Sequence, residues 1–159
     1  MSNNEHTDRL PMGLSAEAPD LWIDMPEEER KTGCILDTET CVIKDTYFFV
    51  KANLELPLRG EEAFFTYTVW VALSREGFER IVDNWQNPLR ARAEPYSGYL
   101  ATRLPGYPET INLRCKVYES ELGMRPIVIL EPTDHPLAVE QREGMTRDRI
   151  RDIISLITE

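Results

Sequence analysis

Histidine and cysteine are scarce in this chain: two His, His6 and His135, and three Cys, Cys34, Cys41 and Cys115, among 159 residues. A structural zinc site takes about four such ligands at close spacing. These five are scattered, so no metal and no cofactor are expected. An odd cysteine count without a pairing framework predicts free thiols in a reducing compartment. Positive charge is also short, since 18 Lys and Arg stand against 28 Asp and Glu for a net charge of −10. Affinity for a phosphate backbone comes mainly from Lys and Arg displacing counterions. Nucleic acid is therefore excluded as a partner, and a basic or neutral protein partner is expected instead. No apolar run approaches the roughly 18 residues that span a bilayer, which excludes an integral membrane protein. The first residues lack the basic region and apolar stretch of a secretory signal, which predicts a cytoplasmic location.

What is present is enough for a core without staples, because a chain of this length buries roughly 70% of its unfolded surface. Residues 1–30 are polar, carry Pro11, Pro19 and Pro26 and the acid run Glu27, Glu28, Glu29. Only short helical turns fit there. The segment reads as an arm laid on the rest, 31–159, through Leu10, Leu14, Leu21, Trp22 and Ile23.

From Cys34 the period changes to two. Cys41, Val42 and Ile43 begin a strand, Asp45 and Thr46 turn the chain, and Tyr47 to Leu56 follows with Phe48, Val50, Ala52, Leu54 and Leu56 on one face. Gly60 marks a hairpin turn, and Ala63 to Leu73 returns with Phe65, Tyr67, Val69, Val71 and Leu73 on one face. Ser74 reads as the N-cap of a helix from Arg75 to about Asn84, with Phe78, Ile81, Val82 and Trp85 at helical spacing. Tyr96 to Leu100 is a short strand in which Gly98 marks a close approach. Ile111, Leu113, Cys115 and Val117 alternate as in a half-buried antiparallel strand, and Pro126 to Leu130 is an apolar run of interior type.

Glu131 to Gln141 concentrates the polar chemistry. Pro136 suits the first position of a helix that Asp134 or Thr133 caps and Gly144 closes. Thr146 starts another helix, with Ile150, Ile153, Ile154 and Ile157 in one stripe. His135 beside Asp134, Glu131 and Glu140 is the one acid–base grouping available, because a carboxylate can orient an imidazole. The simpler reading is structural, with Asp134 as the cap and no nucleophile at hand. Separately, Trp70, Tyr96, Tyr99 and Tyr107 interleave with Arg90, Arg92 and Arg103, and the irregular stretch from Pro88 to Pro108 is the best recognition surface.

Val69-Trp-Val-Ala-Leu-Ser74, Leu104-Pro-Gly-Tyr-Pro108 and the block from Glu131 to Arg142 together resemble the bacterial family called domain of unknown function 2199, over nearly the whole chain from about Leu10. The resemblance carries no established activity. It implies a closely spaced N-terminal cysteine pair followed by Gly and His, half of a zinc site. This chain departs from that pattern, with His6 where the His falls but no cysteine before Cys34.

The expected fold is α+β: a single antiparallel sheet of about five or six strands, with one mid-chain helix and two C-terminal helices packed on it. The expected function is a non-catalytic, acidic, protein-binding or regulatory module, toxin neutralisation being one form. The alternative is a small enzyme using His135 with Asp134, Glu131 and Glu140.

Overall fold

The structure, a computed structural model, describes residues 10–158, so His6 lies outside the described residues. Alternation dictates its spine. Val50, Ala52, Leu54 and Leu56 of β4 (Tyr47–Pro57) and Phe65, Tyr67, Val69 and Val71 of β5 (Phe64–Leu73) are completely buried on one shared face. β-Branched and aromatic side chains suit such a pleated surface. The two strands pair antiparallel from Phe48↔Leu73 to Pro57↔Phe64.

Each of these long strands serves two neighbours along its outer edge. On β4, β3 (Thr40–Ile43) pairs with the first residues, while β8 (Ile127–Leu130) meets it in parallel at Asn53. On β5, β1 (Gly13–Ser15) pairs in parallel with Thr66 to Thr68, while β6 (Tyr96–Leu100) takes Val71 to Leu73. β7 (Arg114–Tyr118) joins β6 to β8. The five strands β4 to β8 thus close into a barrel, and β1, β3 and β2 (Cys34–Leu36) extend it. This corrects the expected single antiparallel sheet of about five or six strands: the sheet has eight strands, and two of its pairings are parallel. In a five-strand meander the first and last strands run the same way, so closure pairs them in parallel. The alternation of side chains is identical whether the buried face meets helices or the far wall of a barrel.

Gly98 helps the wall to close. A Cβ there would come within 2.6 Å of Val71 Cγ1 and 2.8 Å of the Ala72 carbonyl oxygen, as the close approach read from the sequence requires. β7 begins later than the alternation from Ile111 suggests, because Asn112 adopts φ 72° and breaks the extended run.

Helices cap the apolar interior. α1 (Asp20–Asp24) and α2 (Glu27–Arg30) belong to the N-terminal segment. α3 (Arg75–Asp83) starts where Ser74 Oγ accepts the Gly77 N–H at 3.0 Å, and it packs Ile81 inward. α4 (Pro136–Glu143) and α5 (Arg147–Ile157) contribute Leu137, Ala138, Ile150 and Ile153 to the same core. Met145 between them is drawn in by its backbone, its N–H on the Pro57 carbonyl (2.9 Å) and its carbonyl on the Arg59 N–H (3.0 Å). Ile154 is half-buried and Ile157 exposed, so the expected stripe holds for two turns and then runs past the core.

A second apolar layer covers the outer face of the hairpin. Cys41, Ile43, Phe49, Trp70 and Ala101 are buried there under Ala16, Trp22 and Met25. Leu21 and Ile23, expected as anchors, are exposed, and Ala18 is buried instead. Gly13–Ser15 also forms a strand where helical turns alone were expected. Among the described residues no helix is long and apolar enough to cross a membrane.

Candidate functional site

The polar segment before α4 is held by backbone contacts. His135 is the N-cap: its Nδ1 accepts the Leu137 N–H at 3.1 Å. A neutral ring then carries its proton on Nε2, which donates to the Glu109 carbonyl at 3.0 Å. Both ring nitrogens are therefore occupied. Thr133 Oγ1 accepts the His135 N–H at 3.2 Å, while Asp134, the cap expected from sequence, is exposed. An imidazole can cap as a carboxylate does, and residue type alone favoured the carboxylate.

Glu140 points into a different cluster. Its Oε1 accepts the Tyr107 hydroxyl at 2.6 Å and its Oε2 accepts Arg149 Nε at 3.0 Å, while Arg149 Nη2 donates to the Gly106 carbonyl at 2.6 Å. Arg149 also lies over the Tyr107 ring at 4.8 Å, and Tyr107 meets Tyr67 edge to face at 6.0 Å. Burial first, then Tyr67 and Glu140, hold the Tyr107 hydroxyl far above its ordinary range. Burial likewise pushes Tyr67 up to about 12. This arrangement latches the turn at Gly106 to α4 and α5. It brings together two residues singled out for separate reasons, Tyr107 and Glu140. Arg149 was missed, and nine positions with Gly144 between them left no helical spacing to reveal the pair.

Most of the aromatic and arginine set is buried or bonded within the fold. Trp70 is fully buried, with Nε1 donating to the Ala16 carbonyl at 3.0 Å. Tyr96 is buried and donates to Glu119 Oε2 at 2.6 Å; burial, then Glu119, raise its hydroxyl to about 12. Arg90, only 5% exposed, gives four bonds to the carbonyls of Trp85, Ser120, Glu121 and Met124 at 2.7–2.9 Å. Arg103 is exposed but engaged by Asp20, Asp24 and Glu109 at 3.1, 3.4 and 3.6 Å. Arg92 is exposed.

Tyr99 alone of the four rings stands on an open surface. The outward positions of β6, β7 and β8 line a groove of about 610 Å³ with Tyr99, Arg114, Lys116, Tyr118 and Ile129, and Glu131 just past β8 joins them. It continues into a smaller groove of about 290 Å³ that shares Arg114, Leu130 and Glu131 and reaches Thr133. Tyr99, Tyr118 and Ile129 are 46%, 43% and 44% exposed. In register, Tyr99 lies opposite Arg114, and Lys116 lies between Ser97 and Ile129. Lys116 Nζ donates to Ser97 Oγ at 2.9 Å. Cys115 points the other way, into the barrel, where burial raises its thiol to about 12. Glu131 is the member of the acid–base grouping that reaches this groove. Arg114, Lys116, Tyr118 and Ile129 escaped the sequence reading, although they are the outward members of strands it recognised.

Two rings, an isoleucine, two cations and a carboxylate on paired strands form a rigid, mixed surface suited to recognition. A second groove, about 580 Å³, lies by Trp85, Met124 and the bidentate Arg125–Glu39 pair at 2.8 and 2.9 Å.

Comparison with curated proteins and with solved structures gives no match. A family match covers residues 2–145 and so takes in the barrel, the latched turn and the outer groove. The chain belongs to the bacterial family described as "Uncharacterized protein conserved in bacteria (DUF2199)".

Proposed function

We propose that the protein is a non-catalytic binding module that docks a protein partner on the outer face of β6, β7 and β8. The observation that carries this reading is the exposure of Tyr99, Tyr118 and Ile129 around one groove on the antiparallel ladder of β6, β7 and β8. Tyrosine is enriched at protein interfaces because it offers a large ring and a hydrogen bond at low entropic cost. The net charge of −10 favours approach of a basic partner, leaves a neutral one unopposed and disfavours nucleic acid. Acid–base catalysis at His135 is the weaker reading, because backbone groups hold both ring nitrogens and Glu140 is tied to Tyr107 and Arg149.

A photo-crosslinking amino acid placed at Lys116 in cells tests the proposal, with the same residue at exposed Val82 as control. One discrete protein adduct is expected from position 116, lost when Tyr118→Ser is added at unchanged melting temperature. No adduct, or the same adduct from position 82, overturns it.

A further inference from the structure

Two sulfur atoms, of Met25 and Cys34, meet beneath the N-terminal segment, and Cys41 belongs to the same apolar layer. Cys34 and Cys41 are on the antiparallel strands β2 and β3, where Cys34 lies opposite Ile43 and Leu36 opposite Cys41. The two cysteines are therefore diagonal neighbours on one face. Met25, in the bend after α1, brings its Sδ to 3.9 Å from Cys34 Sγ. Cys41 is a buried member of the apolar layer against which both Met25 and Cys34 pack. Its thiol is pushed up to about 12 by burial first and then by Cys34 and Asp37.

This spacing distinguishes two uses of the pair. Diagonal residues on neighbouring strands sit roughly 7–8 Å apart at Cα, their Cβ atoms somewhat closer. A disulfide wants Cβ atoms about 3.5–4.5 Å apart, so direct bonding would need the strands to shift. Two thiolates bound to one metal ion, at about 2.3 Å each, stand up to ~4.6 Å apart, the value falling as a third donor joins. A diagonal pair stands closer to that separation than to the shorter span of a disulfide.

The donor set selects the ion. Among the described residues no group of three His, Cys, Asp or Glu side chains converges, so zinc lacks its usual ligands here. Two thiolates and a thioether are soft donors, and soft donors favour copper(I). We propose that Met25, Cys34 and Cys41 bind one soft monovalent cation of the copper(I) class and so tie the segment before β2 to the β2–β3 hairpin. On binding, each thiol releases its proton to solvent, and the ion keeps its oxidation state. Cys34, half-exposed, is the way in. Counting His and Cys alone predicts no metal, because that count leaves out methionine.

The reduced full chain, handled without oxygen, is titrated against the coloured copper(I)–bicinchoninate complex. Withdrawal of one equivalent of copper is expected. One equivalent of silver(I), a redox-inert stand-in, should raise the melting temperature, because a ligand bound to the native state alone stabilises it. Cys34→Ser should lose both effects, Met25→Leu should bind more weakly, and Cys115→Ser should keep both. Cys34 carries the test because its partial exposure spares the fold, which the metal-free melting curve of the variant verifies. No withdrawal of copper by the parent chain, or parent-like withdrawal by a folded Cys34→Ser variant, overturns the proposal.

Discussion

The imidazole of His135 caps its own helix: Nδ1 accepts the backbone N–H of Leu137 at 3.1 Å, and the opposite nitrogen reaches the Glu109 carbonyl at 3.0 Å. One ring thus joins the start of α4 to the turn that precedes β7. A lost N-cap costs about 0.5–2 kcal/mol. His135→Ala is expected to destabilise by that amount in urea unfolding, and His135→Asp to recover the cap but lose the tie to Glu109. Asp134→Ala, at an exposed side chain without the cap bond, should stay within about 0.5 kcal/mol of the parent. The reverse order of His135→Ala and Asp134→Ala would return the cap to the carboxylate.

Among the described residues Arg90 forms no ion pair, and its guanidinium is satisfied by four carbonyls across Trp85, Ser120, Glu121 and Met124. Lysine has three donors at a single point and cannot span that fork. Arg90→Lys should destabilise by roughly 1–3 kcal/mol, the cost of leaving buried polar groups unmatched. Amide exchange should quicken mainly over Ser120 to Met124. Unchanged exchange in that loop would show that another contact holds it.

Alkali should unfold the protein through its interior. Burial raises Cys41 and Cys115 from 9.0 to about 12, and Tyr67 and Tyr96 from 10.0 to about 12. The native state holds these protons more tightly than the unfolded chain does. Their contribution is therefore complete below about pH 9 and is lost as pH rises toward 12. Urea midpoints should fall steadily from pH 9 to pH 11. Cys115→Ala, whatever it loses at pH 7, should show a shallower fall because one titrating group is gone. Parallel slopes for parent and variant would remove Cys115 from this account.

The legible part of the fold was what period and punctuation encode. Val50, Ala52, Leu54 and Leu56 face inward because alternation leaves them no other choice, and Ser74 caps α3 as its place before Arg75 and Glu76 suggests. Closure was hidden, because it rests on the single register pair Asn53↔Ile127, two residues 74 positions apart with no local signature. The site divided in the same way. Arg90 and Trp70 looked like recognition groups because residue type is silent on burial, whereas Tyr118 and Ile129 looked ordinary because pattern reading attends to the inward face. His135 and Asp134 could both cap a helix, and only the course of the chain toward Glu109 decides between them.

The C-terminal helix separates burial from periodicity in a last test. Ile150 and Ile153 of α5 are fully buried in the barrel core, whereas Ile157, on the same stripe, is 46% exposed. Arg147 and Arg149 pin the helix from outside, through a bidentate pair to Glu61 at 2.9 and 2.7 Å and the bond to Glu140. Truncating a buried isoleucine removes its transfer energy and leaves a cavity that the barrel wall cannot fill, at about 2–5 kcal/mol. Ile153→Ala should therefore cost several times as much as Ile157→Ala, which should stay near 0.5 kcal/mol as a surface change. Urea unfolding of the two single variants measures the contrast. Equal costs would mean that the last turn of α5 is packed, and that the apolar stripe reads its burial correctly along its whole length.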